Sequence, residues 1–157
     1  MIYINKSENA DTRSAKGNVS KEDLLNNSLS HIGDVINVGN WIADKLKEQV
    51  QNHDYTKIKD IDMFYKDFIS GRQGEEFKAL AWYQKHLTER HHLNDSVPED
   101  VNLIDILEMV IDCSVAGLAR TGNIYPIKID NQILQKAIEN TKNLIINEVV
   151  VIEKGGK

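Results

Sequence analysis

The five histidines of the chain fall in three places, and acidic residues accompany each place. They are His31, His53, His86, His91 and His92. In the dipeptide His53-Asp54, an imidazole nitrogen and a carboxylate oxygen can both turn toward one cation. Alone, such a pair is more typical of a surface turn with a solvated aspartate. Because every other histidine lies in one of the two remaining places, the pattern predicts a single site for a divalent metal ion.

Three acidic residues share one face of a predicted helix. Asp105, Glu108 and Asp112 are spaced i, i+3 and i+7, and Asp112 lies within the apolar stretch IDILEMVIDCSVAGLA. A carboxylate there is expected to be largely buried, which is costly unless it is paired or bound to metal. The alternative is an ion pair with an Arg or Lys of a neighbouring helix for Asp105 and Asp112, and a pair within the helix for Glu108.

The remaining histidines lie within the heptapeptide HLTERHH, residues 86–92. His86 and His91 are five residues apart, so they do not stack on an ideal helix, which must end or bend between them if both bind metal. His92 points about 100° away from His91 on a helix, and we therefore expect one of these two to be a ligand. Solvated histidines beside the negative end of a helix dipole are the alternative.

The elements that would position these residues are predicted to be helices. Apolar residues recur at helical spacing from Lys21 to about Gln51, and Ser20 with Asp23 resembles a helix start. Further helices are predicted over 58–69, from Gly74 toward His91, over 99–120 and over 131–149, with the state of the following VVVIE left open. The expected architecture is an all-α bundle of five to six helices. It would consist of an arm over 1–19, with room for one short strand, and a single domain over 20–154.

Composition limits the classes of function. The 157 residues carry a net charge of −5 without any block rich in Lys or Arg, which argues against general nucleic-acid binding. No apolar run is long enough to predict a membrane span. The single cysteine, Cys113, excludes a disulfide framework, indicates a reducing cytoplasm and is expected to be a small core residue. A homo-oligomer is left open, and the arm could reach a neighbouring subunit.

The order His31, His53-Asp54, Asp112 resembles the HD superfamily of metal-dependent phosphohydrolases. That helical fold holds a cation with a histidine, a His-Asp dipeptide and a distant aspartate. The string HDYTK, residues 53–57, is similar to the HDxxK form, in which the lysine faces substrate phosphate. More narrowly, a series of residues between about 25 and 121 resembles an uncharacterised family of small bacterial and phage proteins. The series is His53-Asp54, His86, His91-His92, Asp105, Glu108-Met109 and Asp112.

The resemblance implies a metal-dependent phosphohydrolase acting on a nucleotide or another small phosphate ester. It implies one ion of Mn, Fe, Ni, Co or Zn, held by His31, His53, Asp54 and Asp112. A second ion is left open, bridged by Asp54 and held by His86 with His91 or His92. Water activated by the metal would attack phosphorus.

The resemblance also implies roles around the metal and a setting for the protein. Lys57 would contact phosphate, with Arg90 and Arg120 as further candidates, and Glu108 would orient a ligand or accept a proton. The expected location is the cytoplasm of a bacterium or of a phage-infected host. The alternatives are a non-catalytic helical protein that metal stabilises and that binds or inhibits a partner protein, and a bundle without metal.

Overall fold

The computed structural model describes residues 1–153, and most of them are helical. The helices are α1 (Lys21–Gln51), α2 (Tyr55–Lys59), α3 (Ile61–Phe68), α4 (Gly74–Lys78), α5 (Ala81–His86), α6 (Leu103–Thr121) and α7 (Asn131–Glu148). Two short strands, β1 (Ile2–Asn5) and β2 (Val149–Ile152), complete the regular elements of this range. The all-α prediction is therefore confirmed. Among the residues described, no helix is both long and apolar enough to cross a membrane.

The contacts divide the chain into two compact units. One, the paired-strand unit, combines Met1–Asp44 with the segment that begins at Lys142, and the other, the site unit, is Lys45–Thr141. The prediction of one domain over 20–154 stays a prediction, because a division by contacts does not test independent folding.

The paired-strand unit contains a parallel two-stranded sheet. Ile2 pairs with Val149 and Asn5 with Ile152, so the tail that the sequence left open is a strand. The predicted start of α1 is also present, since the Ser20 hydroxyl accepts a hydrogen bond from the backbone N–H of Asp23 at 3.1 Å. This bond satisfies one of the four free N–H groups at the beginning of a helix.

The site unit has a small apolar core between α6 and α7. Leu93, Val101, Met109 and Ala137 are buried together, and Cys113 packs partly buried against them, as predicted for a small core residue. Helix α6 starts at Leu103 rather than near Glu99. The reason is that Asn102 caps it in a capping box with Asp105, so the preceding turn stays outside the helix.

Two predicted helices are each divided into two short ones. The helix predicted over 58–69 breaks at Asp60, which separates α2 from α3 and whose carboxylate lies 2.6 Å from the ammonium of Lys85. The helix predicted to start near Gly74 breaks at Ala79 and Leu80, because Leu80 is extended (φ −74°, ψ 151°), and it ends at His86. Because α5 ends at His86, the helix stops before His91, which the spacing of these two histidines requires if both bind metal.

Candidate metal centre

The turn between α1 and α2 has an unusual backbone at Asp54. Its φ of 55° is the only positive φ of a non-glycine residue within 1–153. Aspartate tolerates this left-handed conformation better than most residues, but it still costs about 1–3 kcal/mol unless the surroundings compensate. Backbone strain of this kind concentrates at functional sites, and here it falls on the aspartate of the predicted metal-binding pair.

One oxygen of Asp54 faces two imidazole rings, and a third ring lies beside them. Its Oδ1 lies 3.4 Å from Nε2 of His86 and 3.6 Å from Nε2 of His91. Nε2 of His92 is 3.0 Å from Nε2 of His86, so the three rings direct ring nitrogens toward a common region. We call Asp54, His86, His91 and His92 the imidazole set. Both His91 and His92 belong to it, although the spacing predicted one of them as a ligand.

Nε2 of His91 is a polar atom without a partner. It is buried and makes no hydrogen bond, and the 3.6 Å to Asp54 is too long for one. An unsatisfied buried nitrogen is costly in a folded protein and calls for a ligand. A metal ion bound at this nitrogen would remove the cost.

The other oxygen of Asp54 belongs to a second set of potential ligands. Nε2 of His53 lies 3.5 Å from Asp54 Oδ2 and 3.4 Å from Asp112 Oδ1. We call His53, Asp54 and Asp112 the carboxylate set. The ammonium of Lys57 contacts the same Oδ2 atom, so a positive charge already lies against this oxygen.

These separations fit ligands that share a metal ion. Bonds of about 2.0–2.1 Å from zinc to nitrogen or oxygen place neighbouring ligand atoms about 3.0 Å apart at right angles and about 3.4 Å apart in a tetrahedron. The distances of 3.0–3.6 Å within the two sets lie at these values or slightly above them. In particular, potential ligand atoms of His53, His91 and Asp112 lie within 4.8 Å of one another, as do those of Asp54, His91 and His92.

The nitrogens on the far side of three rings meet oxygen atoms. Nδ1 of His53 is 3.0 Å from Oε1 of Glu108, and Nδ1 of His91 is 3.5 Å from the same oxygen. Nδ1 of His86 is 2.9 Å from the hydroxyl of Thr56 and 3.4 Å from Glu89. Histidines that bind metal through Nε2 commonly use Nδ1 in this way, which fixes the orientation of the ring.

The charges around the centre shift the pKa values in opposite directions. Hydrogen bonding to Asp112 and Glu108 raises the pKa of His53 to about 10 despite partial burial. Burial, with the neighbouring His91 and His86, lowers the pKa of His92 to about 4. Burial raises the pKa of Asp54, but the imidazole of His91 and the ammonium of Lys57 lower it more, and the net pKa is below its ordinary value.

Negative charge exceeds positive charge at this centre. Four carboxylates converge on it, those of Asp54, Glu89, Glu108 and Asp112, and their side chains are between 4 % and 30 % exposed. Within residues 1–153, Lys57 is the only lysine or arginine paired with any of the four. Poorly solvated carboxylates need compensating charge, and a divalent cation would supply it.

A pocket of about 560 Å³ opens beside the two sets. Asp54, His86, His92 and Asp112 form part of its wall, and aromatic side chains including Phe64, Phe68, Phe77, Trp82 and Tyr83 form another part. The indole of Trp82 stacks on His86 at 4.8 Å between ring centroids, which links the aromatic wall to the imidazole set. The volume is typical of sites for small ligands.

Cationic side chains also line this pocket. They are Lys57, Arg72 and Arg120. Arg72 lies in the turn between α3 and α4, which Gly71 and Gly74 bound with positive φ values of 73° and 55°. In the part of the chain that the structure describes, neither arginine pairs with a carboxylate, so both guanidinium groups are available to an anionic ligand.

Two of the residues predicted from the sequence lie outside this centre. His31 is exposed on α1 in the paired-strand unit, and none of the possible metal-binding groups found among residues 1–153 includes it. Arg90 donates to both oxygens of the fully buried Asp105, at 2.7 and 2.8 Å, and also pairs with Asp100. The alternative for Asp105, an ion pair with an arginine, is therefore present, although Arg90 lies in the turn after α5 and not in a helix. The guanidinium of Arg90 is already engaged by this pair.

Sequence reasoning missed the residues that hold the ligands in place. Gln49 donates to Glu108 at 2.7 Å and to Asp105 at 2.8 Å, and Thr56 donates from its backbone N–H to Glu89 at 3.0 Å. The sequence contains one indication of Glu89, since it lies three residues after His86 and two before His91. It contains no indication of Gln49 or Thr56, because their roles depend on contacts between segments that are distant in sequence.

Comparison of the chain with models of known protein families, with curated proteins and with solved structures found no match.

Proposed function

We propose that this protein is a metal-dependent phosphohydrolase that acts on a nucleotide or another small phosphate ester. The observation that carries the proposal is the position of Asp54. One oxygen of its carboxylate faces His86 and His91, the other faces His53, and the same residue lines the pocket. Ligands, excess negative charge and room for a substrate therefore coincide at one residue.

The proposed ligands are the imidazole set and the carboxylate set, with Asp54 common to both. Imidazole with carboxylate oxygen suits Mn, Fe, Co, Ni or Zn. A bound ion would lower the pKa of a coordinated water and neutralise phosphoryl oxygens, which are the requirements for hydrolysis of a phosphate ester at neutral pH. His31 is left out of this ligand set.

The lining of the pocket supports a substrate that joins phosphate to an aromatic group. A purine or pyrimidine can stack on rings such as Phe68 or Tyr83, while the guanidinium groups of Arg72 and Arg120 offer paired hydrogen bonds to phosphate oxygens. The aromatic rings and the arginines line the same pocket as Asp54 and Asp112.

The neighbouring groups have positioning roles in this proposal. Glu108 holds His53 through Nδ1, and Glu89 with Thr56 holds His86 in the same way. Lys57 lies against Asp54 Oδ2, where a cation of the carboxylate set would bind. Displaced from that oxygen by metal, its ammonium would remain at the pocket wall to bind substrate phosphate.

The proposal is tested by metal content and turnover together. The purified protein is analysed for bound metal, stripped with chelator and reloaded with each candidate ion. Phosphate or nucleoside release is then measured from a panel of nucleoside mono- and triphosphates, cyclic nucleotides and non-nucleotide phosphate esters. We expect stoichiometric metal and turnover of at least one nucleotide.

Matched variants at Asp54 and Asp62 distinguish loss of a metal ligand from the general effect of replacing an aspartate. Asp54→Asn should lower turnover at least about a hundredfold, because the amide provides no negative charge for metal. Asp62→Asn, at an exposed position on α3, should leave it unchanged. Full turnover in Asp54→Asn would overturn the proposal, and metal binding without turnover of any substrate would favour the non-catalytic alternative.

A further inference from the structure

Helix α1 exposes an apolar stripe to solvent. Leu25, Leu29, Ile32 and Ile36 are 55 %, 56 %, 51 % and 55 % exposed, and none of the residues of α1 is buried. The exposed Gly39 and Ala43 continue the same spacing of four and three residues. We call residues 25, 29, 32, 36, 39 and 43 the α1 stripe. It lies entirely within the paired-strand unit.

The side of α1 away from the stripe combines polar residues with the partly buried Val38 and Trp41 and contacts the rest of this unit. Asp34, partly buried, accepts a hydrogen bond on Oδ2 from the backbone N–H of Asn5 at 3.2 Å. Asp23 and Asn27 line a cleft together with Lys6 and Glu153. A helix on the surface of a monomer normally places its apolar side inward. In α1 the apolar stripe faces solvent instead, so the stripe requires a different partner.

The spacing of the stripe identifies the kind of partner. An apolar repeat of four and three residues is typical of the seam of a coiled coil, in which two helices pack side by side. With 31 residues, α1 is about 46 Å long, enough for several turns of contact with another helix.

We propose that the α1 stripe binds the α1 stripe of a second copy of this chain. In a coiled coil, the apolar repeats of the two helices have the same spacing. A second copy of the chain carries the same repeat and therefore provides a matching helix. The positions that flank the seam are uncharged, so no like charges oppose self-association. They are Asn26, Ser28, Gly33, Val35, Asn40 and Ile42. Gly39 and Ala43 allow the two backbones to approach closely.

The exposed area is sufficient for a specific dimer. Leu24 and Val35, 47 % and 57 % exposed, widen the stripe, which gives six large apolar side chains on each copy with the four already named. If each covers about 60–100 Å² of its partner, twelve side chains bury about 1,000 Å² in total, the lower limit for a biological interface.

Sedimentation velocity or light scattering of the full chain tests the proposal. The wild type should have twice the mass of one chain at about 10–100 µM. Leu29→Glu/Ile32→Glu should sediment as a monomer. Carboxylates facing each other across the seam repel one another, and the dissociation constant should rise at least about a hundredfold.

A matched control and a folding measurement complete the test. Ile138→Glu introduces the same charge at an exposed apolar position on α7, 45 % exposed, and should remain dimeric. Circular dichroism and metal content should be the same in all three proteins, because the stripe is exposed in a single chain and lies outside the metal ligands. A wild type that is monomeric at 100 µM, a double variant that associates like the wild type, or equal dissociation of the control would each overturn the proposal.

Discussion

The Oε1 atom of Glu108 lies 3.0 Å from Nδ1 of His53. This contact leaves Nε2, the opposite nitrogen of the same ring, directed at Asp112 and Asp54. The second oxygen of Glu108 accepts a hydrogen bond from Gln49 at 2.7 Å, so the carboxylate is itself held in place. Burial raises the pKa of Glu108, but the bonds from His53 and Gln49 lower it more, which keeps the group ionised.

Glu108→Gln should weaken metal binding by about ten- to a hundredfold, because the amide no longer stabilises the imidazole that binds the ion. Turnover should fall at limiting metal and recover when metal is in excess, which separates positioning from chemistry. Calorimetric titration with Co²⁺ measures the affinity. Glu99→Gln, at an exposed position, is the matched control. Unchanged affinity in Glu108→Gln would contradict the role assigned to Glu108.

Lys57→Met should have opposite effects on metal and on substrate. Removal of the ammonium frees Asp54 Oδ2, and metal affinity should increase. The KM for a phosphate substrate should rise about tenfold, since a charged contact to phosphate is lost. Lys59→Met, on the same short helix but exposed, should change neither quantity. A variant that loses both affinities together would indicate a structural role instead.

Removal of metal should lower the thermal stability of the protein. A ligand present at about a hundred times its Kd stabilises the folded state by about 2.7 kcal/mol. In a protein of this size that corresponds to a decrease in Tm of about 5–10 °C on chelation. Differential scanning calorimetry with and without chelator measures the shift, and added metal should reverse it. The Tm of Asp54→Asn should not respond to either treatment.

Arg90→Ala should destabilise the fold without affecting metal content. The carboxylate of Asp105 is fully buried, and loss of its guanidinium partner leaves a buried charge. We expect a decrease of about 2–3 kcal/mol in the free energy of unfolding, below the value for a fully buried pair because the side chain of Arg90 is 37 % exposed. Urea unfolding measures it. Arg13→Ala, which removes an exposed ion pair with Asp11, should have no measurable effect.

Gly117→Ala should destabilise α6 through a steric clash. A Cβ atom at Gly117 would lie 2.5 Å from the backbone oxygen of Asn123 and 2.5 Å from the backbone nitrogen of Tyr125. Both are backbone atoms and cannot rotate away, so we expect a loss of about 1–3 kcal/mol. Gly33→Ala is the control, because nothing lies within 4 Å of its added Cβ, and it should be neutral or stabilising. Chemical unfolding of both variants compares them.

The long helices could be predicted from the sequence, and the short ones could not. The apolar period of α1 and α7 is local, and both helices begin at the predicted residues, Lys21 and Asn131. No glycine or proline marks the break at Asp60 in the sequence. Asp60 forms an ion pair with Lys85, which is distant in sequence, so the break could not be predicted from local residues. The strand at Val149–Ile152 likewise depends on its pairing with Ile2–Asn5, which is distant in sequence.

Most of the candidate ligands could also be predicted, because histidine and buried aspartate are uncommon in an apolar setting. His53, Asp54, His86, His91, His92 and Asp112 converge in the site unit. His31 could not be distinguished from them by type or spacing, since the sequence does not show which turn of a long helix lies near a site. Arg90 carries the positive charge that a phosphate-binding residue needs, but in the structure the buried Asp105 is its partner.

The pairing of β1 with β2 bears on the order in which the protein is assembled. Residues 2–5 are synthesised first but can form their strand hydrogen bonds only after residues 149–152 have been synthesised, because a strand pair needs both partners. The site unit is one continuous stretch, 45–141, and all of its proposed ligands are synthesised before that partner strand exists. The two-stranded sheet is therefore a late contact between segments far apart in sequence, of the kind that forms slowly in folding.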